Sequence, residues 1–384
     1  MELRIKVRDG ESLVRVAALG PGDFPIAAEA GADGVAAARA EAGARAIVVA
    51  DAEALRLHGA LLDRVLPGIP RVAAPRGEAA KSLASLEALY GAFLDAGLDR
   101  GSTVIAFGGG TVSDLAGFAA ATWLRGVAFE CLPTTLLAMV DASVGGKTGI
   151  DFRGRKNLVG AFSQPRRVLA DVAFLDTLSD TEFASGMAEV LKHAVLAGGD
   201  YAALVEGLGG RRPRAAEPGG RGNLEAIVAG SVAIKAGVVS RDEREAGERR
   251  LLNLGHSIGH GLELELGIPH GHAVAAGLCS AARLAAARGA MEAATLSRLL
   301  ALVGAWDLPV SVAAAIELGA RGGPGVPGDP EAALALRRRV GAALGADKKR
   351  EADVVRFVLP RDFGRAEVVE LPLAELAAFV MEVP

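Results

Sequence analysis

Residues 103–124, TVIAFGGGTVSDLAGFAAATWL, contain the pattern that decides the fold. The first five are a short apolar run typical of a buried strand, and Gly108, Gly109 and Gly110 follow directly. The remaining residues, 111–124, predict a helix. A strand, a glycine turn and a helix in this order can seat a pyrophosphate on backbone N–H groups. Ser113 replaces the third glycine of the usual dinucleotide fingerprint, so a plain tight turn is an equal alternative.

Similar strand and helix signals lie on both sides of this stretch. Apolar runs at 46–50, 71–74 and 127–132 predict strands, whereas 52–65 and 82–96 have helical periodicity. The first seven residues also alternate like a strand. Strands that alternate with helices indicate a parallel sheet covered by helices on both faces.

Beyond about residue 178 the pattern becomes helical. Ser179 and Glu182 form a capping box ahead of a helical pattern at 183–196, and the rest of the chain is rich in Ala and Leu. Stretches rich in Gly and Pro, 208–222 and 319–330, predict loops. The sequence therefore predicts a Rossmann-like α/β domain over residues 1–178 and an all-α domain over residues 179–384.

The composition is that of an ordinary soluble globular protein, with 51% hydrophobic and 23% charged residues in 384. A net charge of -4 gives no reason to expect nucleic acid or an anionic membrane as a partner. Cys131 and Cys279, the only cysteines, both lie in apolar sequence, which favours a reducing compartment. With neither a signal peptide nor an apolar run of transmembrane length, we expect a soluble, cytoplasmic protein.

Residues 141–157, DASVGGKTGIDFRGRKN, concentrate charge in otherwise apolar sequence. Glycines let a backbone approach a ligand closely, and Lys147 and Lys156 suit phosphate or carboxylate. Gly146, Lys147 and Thr148 suggest a nucleotide P-loop, but that motif requires a glycine where this chain has Asp141. For this stretch alone, a solvated loop with mixed charges is the alternative.

Five of the six histidines lie in the predicted helical half: His193, His256, His260, His270 and His272. Glu189 precedes His193 by four residues, and His256 precedes His260 by four, so each pair shares a helical face. A carboxylate with imidazoles from separate segments is typical of a catalytic zinc site. Any single histidine is more often a core or capping group, and spacing alone does not select the ligands.

A run of charges separates these groups. Arg249, Asn253, His256 and His260 are spaced by three or four residues, so one helical face could present all of them toward a metal. A solvated face with ion pairs is the alternative for residues 241–250.

Several blocks in a fixed order resemble the 3-dehydroquinate synthase family of sugar-phosphate cyclases, over about residues 46–359. The blocks are residues 108–157, GMAEVLK at 186–192, LNLGHSIGH at 252–260 and DKK at 347–349. The resemblance implies a dehydroquinate synthase-like fold, in which the first domain binds NAD and the second binds metal and substrate.

The resemblance also implies a reaction. Such enzymes are NAD- and zinc- (or cobalt-) dependent lyases of the shikimate pathway, which supplies aromatic amino acid biosynthesis. They convert 3-deoxy-D-arabino-heptulosonate 7-phosphate to 3-dehydroquinate and phosphate. NAD transiently oxidises a ring hydroxyl, phosphate is eliminated, the ketone is reduced, and the ring reopens and closes as a carbocycle. The family forms homodimers, so a homodimer is expected.

Matching positions imply the site residues. The metal ligands would be Glu189, His256 and His270. The residues that contact NAD would be Asp51, Glu78, Lys81, Gly109, Gly110, Asp114, Thr134, Thr135, Leu137, Asp141, Phe174, Thr177 and Leu178. The residues that face the sugar-phosphate substrate would be Arg125, Lys147, Lys156, Asn157, Lys192, Lys235, Glu245, Arg249, Asn253, His260 and Lys348.

Two positions depart from the family pattern. His272 stands where the family usually has a glutamate, and Glu53 stands where an asparagine is usual. A glutamate at the first position could accept a hydrogen bond from a ligand imidazole, whereas a neutral histidine accepts through one nitrogen and without a full charge. We therefore expect this chain to hold its metal less tightly than relatives with the glutamate.

Three alternatives remain at this stage. A related sugar-phosphate cyclase of secondary metabolism would change the substrate-facing polar residues, which here keep the dehydroquinate pattern. An NAD- and metal-dependent polyol dehydrogenase of similar fold would not need so many anion-binding cations, and it would release NADH. A non-catalytic relative with a structural metal would not need to retain these polar positions.

Overall fold

The computed structural model describes residues 1–7, 10–18, 46–321, 330–344, 350–351 and 354–383. The strands are β1 Glu2–Val7, β2 Gly10–Val16, β3 Ala46–Asp51, β4 Arg71–Ala74, β5 Thr103–Gly108, β6 Ala128–Pro133, β7 Lys147–Phe152, β8 Arg155–Phe162, β9 Arg167–Ala170, β10 Arg350–Glu351, β11 Val354–Asp362 and β12 Arg365–Pro372.

The α-helices are α1 Ala52–Val65, α2 Leu83–Asp95, α3 Gly110–Thr122, α4 Asp180–Ala197, α5 Gly199–Gly207, α6 Gly220–Arg241, α7 His256–Leu266, α8 His270–Ala287, α9 Ala293–Gly304, α10 Val312–Arg321, α11 Pro330–Leu344 and α12 Leu373–Glu382.

The chain folds into two units. Unit 1 comprises Met1–Leu178 and Arg214–Arg244, and unit 2 comprises Ser179–Pro213 and Glu245–Pro384. The sequence had placed residues 214–244 in the second domain, and the structure corrects this. Asp176 accepts hydrogen bonds from the backbone N–H groups of Ala215 and Ala216, at 2.7 and 3.1 Å, which ties the start of the segment to unit 1.

Unit 1 is built on a seven-stranded sheet in the order β1-β2-β9-β6-β5-β3-β4. All neighbours pair in parallel except β1 and β2, which form an antiparallel edge. Strands β3 and β5 are almost wholly buried because their apolar residues face helices on both sides. The chain leaves β3 toward β4 and later enters β5 on the other side of β3. This switch in strand order opens a crevice at the carboxyl ends of β3 and β5, where open α/β sheets bind ligands.

Helix α6, with 22 residues, is the longest helix described in unit 1. By length and composition alone it could cross a membrane, with a mean hydropathy of 1.3 in an 18-residue window, although Glu225 and Lys235 interrupt its apolar sequence. Half of that window is buried, and the helix packs on β1, β2 and the π-helical turn Ala138–Ala142. We interpret it as a core helix of unit 1.

Unit 2 is mainly helical, but it is not all-α as the sequence predicted. Strands β10, β11 and β12 form a three-stranded antiparallel sheet. The turn between β11 and β12 contains Gly364 at φ +83°, and a Cβ added to Gly198 would lie 2.8 Å from the Gly364 backbone nitrogen. This long-range packing, between a helix end and a hairpin turn, is not visible in local periodicity.

Candidate metal and nucleotide sites

Three potential metal ligands of unit 2 converge on one point. Glu189 lies in the middle of α4, while His256 and His270 are the first residues of α7 and α8. One ligand atom from each lies within 4.8 Å of the other two. The Nε2 atoms of His256 and His270 are both 3.5 Å from Oε1 of Glu189.

Glycines let the three helices approach closely enough for this convergence. A Cβ added to Gly271 would lie 1.9 Å from the carbonyl oxygen of Ser185, one turn before Glu189. The Gly271 N–H also donates a 2.9 Å hydrogen bond to Ser185 Oγ. A Cβ added to Gly277 would lie 2.0 Å from the carbonyl oxygen of Gly255, the N-cap of α7. Neither contact leaves room for a side chain, so these positions require glycine.

The chemistry of the three residues fits a divalent metal. Glu189 is fully buried; the Lys192 ammonium pairs with its Oε2, while its Oε1 faces the two Nε2 atoms and accepts no other hydrogen bond within the described ranges. Burial would raise the pKa of this carboxyl, but Lys192 and the two histidines hold it well below its usual range. Burial also lowers the pKa of His256 well below its usual value. A buried carboxylate with two imidazoles matches the ligand set of catalytic zinc sites.

Both candidate imidazoles also have a partner on the second ring nitrogen. His256 Nδ1 lies 3.2 Å from the carbonyl oxygen of Leu254, and His270 Nδ1 lies 3.0 Å from Oε2 of Glu263. Glu263 was missed in the sequence analysis, although His256, His260 and Glu263 follow the i, i+4, i+7 spacing of one face of α7. No described contact joins His272 to His270, and Nδ1 of His272 is buried without a partner in the described part of the chain.

The helical face predicted for Arg249, Asn253, His256 and His260 is interrupted. Residues Glu248–Asn253 form a 3-10 helix, and α7 begins only at His256, because Gly255 adopts φ +81°. Asn253 Nδ2 donates a hydrogen bond to Glu245, and Arg249 is buried. His260 lies beside the candidate ligands, with its ring centroid 5.2 Å from that of His256.

In unit 1 the glycine turn occupies the crevice of the sheet. Gly109 is the N-cap of α3, and a Cβ added to Gly108 would lie 2.9 Å from Cβ of Asp51, at the end of β3. A Cβ on Gly109 would approach Thr135, after β6, to 3.2 Å. Gly109, Gly110 and Thr111, at the start of α3, are partly exposed, and backbone N–H groups at the start of a helix are an arrangement that binds phosphate.

A network of charges centred on Lys81 lies in the same unit. The Lys81 ammonium, which is almost fully buried, donates to Asp114 Oδ2 at 2.8 Å, hydrogen-bonds to Asn157 Oδ1, and lies 3.5 Å from Glu78. The Asn157 N–H donates to Asp151 at 2.8 Å, with Asn157 at φ +51°. Burial raises the pKa of Asp114, while Lys81 opposes that shift.

A second pair in unit 1 joins residues that are 94 positions apart. Lys235 Nζ, on α6, donates to the Asp141 carboxylate at 2.6 Å. Asp141 lies in the π-helical turn Ala138–Ala142, after Leu137. The sequence assigned Lys235 to the second domain, whereas the structure places it in unit 1 beside a residue from the proposed NAD set.

The remaining candidate positions lie on separate elements. Lys147 and Lys156 belong to the β7–β8 hairpin rather than to an ordinary loop. Phe174 packs on Phe107, with ring centroids 5.6 Å apart, in a 3-10 helix that ends at Thr177. Arg125 is exposed in the 3-10 turn Trp123–Arg125 and forms no ion pair with the residues that the structure describes. Lys348 lies outside the described residues.

Together, the fold and the site define a class of enzyme with two units. One unit has a Rossmann-like sheet with a glycine turn, and the other is mainly helical and contains a cluster of potential metal ligands. ValA, a 2-epi-5-epi-valiolone synthase from Streptomyces hygroscopicus solved with NAD+ and Zn2+ bound, has a similar structure. The two structures superpose with a TM-score of 0.77, and their sequences are 25% identical; the match covers 98% of this chain and 97% of ValA.

The sequence comparisons are more specific. The family model for the N-terminal region of 3-dehydroquinate synthase matches residues 71–185, and that for the C-terminal region matches residues 186–320. The 3-dehydroquinate synthase of Opitutus terrae is 44% identical over 83% of this chain and 82% of its own length. That of Pelobacter propionicus is 42% identical over 79% of this chain and 78% of its own length. The chain belongs to the 3-dehydroquinate synthase family.

Proposed function

We propose that this chain catalyses the reaction named in its family: conversion of 3-deoxy-D-arabino-heptulosonate 7-phosphate to 3-dehydroquinate and phosphate, in the cytoplasm. The observation that carries the proposal is the convergence of Glu189, His256 and His270 in a chain that belongs to this family. Oε1 of this buried carboxylate lies 3.5 Å from two imidazole nitrogens on separate helices, and a cation between the three atoms would compensate the cost of burying them.

The proposal assigns NAD to unit 1, at the crevice of the sheet. The Gly109–Gly110 turn would take the pyrophosphate at the start of α3. Lys81, Asp114 and the Asp141–Lys235 pair are fixed polar groups in that unit. The proposed NAD set is completed by Asp51, Glu78, Thr134, Thr135, Leu137, Phe174, Thr177 and Leu178.

When bound, NAD supplies a reversible hydride acceptor and a divalent metal, Zn2+ or Co2+, supplies a Lewis acid. The chain's own task is to hold an anionic substrate. Lysine and arginine groups bind phosphate and carboxylate through charge-assisted hydrogen bonds, and they do so most strongly where water is excluded. The proposed substrate residues in unit 1 are Arg125, Lys147, Lys156, Asn157 and Lys235; those in unit 2 are Lys192, Glu245, Arg249, Asn253 and His260, with Lys348 proposed from sequence alone.

Phosphate release from the heptulosonate phosphate tests this proposal. The assay is run with and without a chelator and with and without added NAD, while NADH absorbance is followed. We expect phosphate release that requires both metal and NAD, without accumulation of NADH, because the same cofactor accepts and returns one hydride. Growth of NADH in proportion to substrate consumed would favour a polyol dehydrogenase instead.

A further inference from the structure

We infer that Glu263 is a positioning residue that fixes the ring orientation and tautomer of His270, and thereby tightens metal binding at Glu189, His256 and His270. The inference rests on the metal site of the proposed function and adds a residue that lies outside the ligand set.

The geometry places the imidazole of His270 between two carboxylates. Nε2 lies 3.5 Å from Glu189 Oε1, and Nδ1 lies 3.0 Å from Glu263 Oε2. The Glu263 side chain is 12% exposed and that of His270 is 27% exposed, so water competes weakly for this contact. Glu263 comes from α7, seven residues after His256, so one helix supplies both a proposed ligand and the partner of another.

A hydrogen bond at one nitrogen of an imidazole ring determines whether the other nitrogen carries a proton or a lone pair. A neutral imidazole has one donor and one acceptor nitrogen. A carboxylate cannot donate, so Glu263 requires a proton on Nδ1 of His270, and Nε2, on the side of Glu189, is then the nitrogen that would bind a metal ion. A carboxylate partner also raises the basicity of a ligand imidazole.

His256 provides an internal comparison. Its Nδ1 faces a backbone carbonyl, that of Leu254, at 3.2 Å. Both proposed ligand histidines thus have an acceptor at Nδ1, but only His270 has a charged one among the described contacts. The hydrogen-bonding role that the family pattern suggests for position 272 is therefore filled from another helix, because Glu263 occupies the Nδ1 position on His270.

The same atoms allow one competing arrangement. His260, Glu263 and His270 also each offer a ligand atom within 4.8 Å of the others. In that arrangement Glu263 would itself bind a second ion. Metal stoichiometry separates a ligand from a positioning residue.

The test compares Glu263→Ala and Glu263→Gln with a control on the same helix, Glu265→Gln. Glu265 pairs with Arg339 at 2.8 Å and does not contact the histidines in the described structure. Zn2+ affinity is measured by competition with a chromophoric chelator, with neither NAD nor substrate present, and bound Zn2+ is counted on each purified protein. Thermal unfolding of the metal-free proteins reports on folding.

We expect one Zn2+ per chain in the parent and affinity about 10- to 100-fold weaker in Glu263→Ala. Glu263→Gln, which keeps an acceptor oxygen but loses the charge, should fall between the two, and Glu265→Gln should match the parent. If Glu263→Ala does not fold, the Zn2+ affinity of Glu263→Gln tests the inference, because this variant keeps the shape of the side chain. Parent-like affinity in the folded Glu263 variants overturns the inference, as does a parent that binds two Zn2+ of which Glu263→Ala loses one.

This experiment separates the inference from the proposed function. A parent that binds Zn2+ with the expected dependence on Glu263, but releases no phosphate from the heptulosonate phosphate, would contradict the proposed reaction and support the positioning role. A parent that binds no Zn2+ would contradict the metal site and the positioning role together.

Discussion

The ammonium of Lys81 lies 2.8 Å from the carboxylate of Asp114, in a pair whose side chains are only 4% and 19% exposed. Replacing Lys81 would leave the Asp114 carboxylate without the ion-pair partner that the structure gives it. We expect Lys81→Met to lower the free energy of unfolding by about 3–5 kcal/mol. Urea titration followed by circular dichroism measures it.

The exposed pair of Arg56 and Glu53 on α1 supplies the control, since both side chains are solvated. Arg56→Met should unfold at nearly the same urea concentration as the parent. The double variant Lys81→Met/Asp114→Asn should lose less stability than the two single variants added together, because no charge is left alone. Strict additivity would show that the two groups do not interact.

A second prediction concerns the contact between Gly108 and Asp51. An alanine at Gly108 would place its Cβ 2.9 Å from Asp51 Cβ and 3.2 Å from Val112 Cβ, so backbone must move where the proposed pyrophosphate site begins. Gly108→Ala should weaken NAD binding at least tenfold, a free-energy loss of about 1.4 kcal/mol. Fluorescence titration with NAD measures this.

Gly91 is the matched control for that substitution. It lies within α2, where an added Cβ meets nothing within 4 Å. Gly91→Ala should bind NAD like the parent and gain about 0.5–1 kcal/mol of stability from helix propensity. Unchanged NAD affinity in Gly108→Ala would mean that the glycine turn is not part of the nucleotide site.

A third prediction concerns Lys147, the first residue of β7, which is exposed in the structure. Its exposure means that Lys147→Met should fold and bind metal normally. Loss of a charge-assisted hydrogen bond to a bound substrate anion, worth about 1.5–3 kcal/mol, should reduce turnover about ten- to a hundredfold. Phosphate release at saturating NAD measures the effect, and Lys6→Met, on an exposed position of β1, is the control. Normal turnover in Lys147→Met would leave residues 141–157 without a role in substrate binding.

The central strands of the sheet could be predicted from sequence because their signal is local. The runs at 46–50, 71–74, 103–107 and 127–132 are short and apolar, and each became a buried or partly buried strand of the parallel sheet. Strands β7 and β8 could not be predicted in this way. Strand β8 is almost wholly exposed, and it is a strand because it pairs with β7. The sheet of β10, β11 and β12 was missed although β11 and β12 are rich in valine, because the Ala- and Leu-rich pattern of the preceding helices was extended over them.

The candidate sites show the same limit. Residue types and spacing indicated a carboxylate and histidines for a metal, and Glu189, His256 and His270 do converge. The assignment of roles stays a prediction. Contacts between residues distant in sequence, such as Lys235 with Asp141, require the folded chain. The helix break at Gly255 could have been predicted from sequence, since a glycine in the middle of a helical pattern disfavours a continuous helix.

The last prediction distinguishes His270 from His272. His270 Nε2 lies 3.5 Å from Glu189 Oε1 and its other nitrogen contacts Glu263, whereas His272 has a buried Nδ1 with no partner in the described part of the chain. His270→Ala should therefore lose both bound metal and phosphate release. His272→Ala should keep most of its metal at neutral pH. Because Glu263 already occupies Nδ1 of His270, His272→Glu should bind metal no more than a few-fold more tightly than the parent, about 1 kcal/mol or less. Metal content and Zn2+ affinity of the three purified proteins decide the matter. A metal-free His272→Ala beside a fully loaded His270→Ala would require the two assignments to be exchanged.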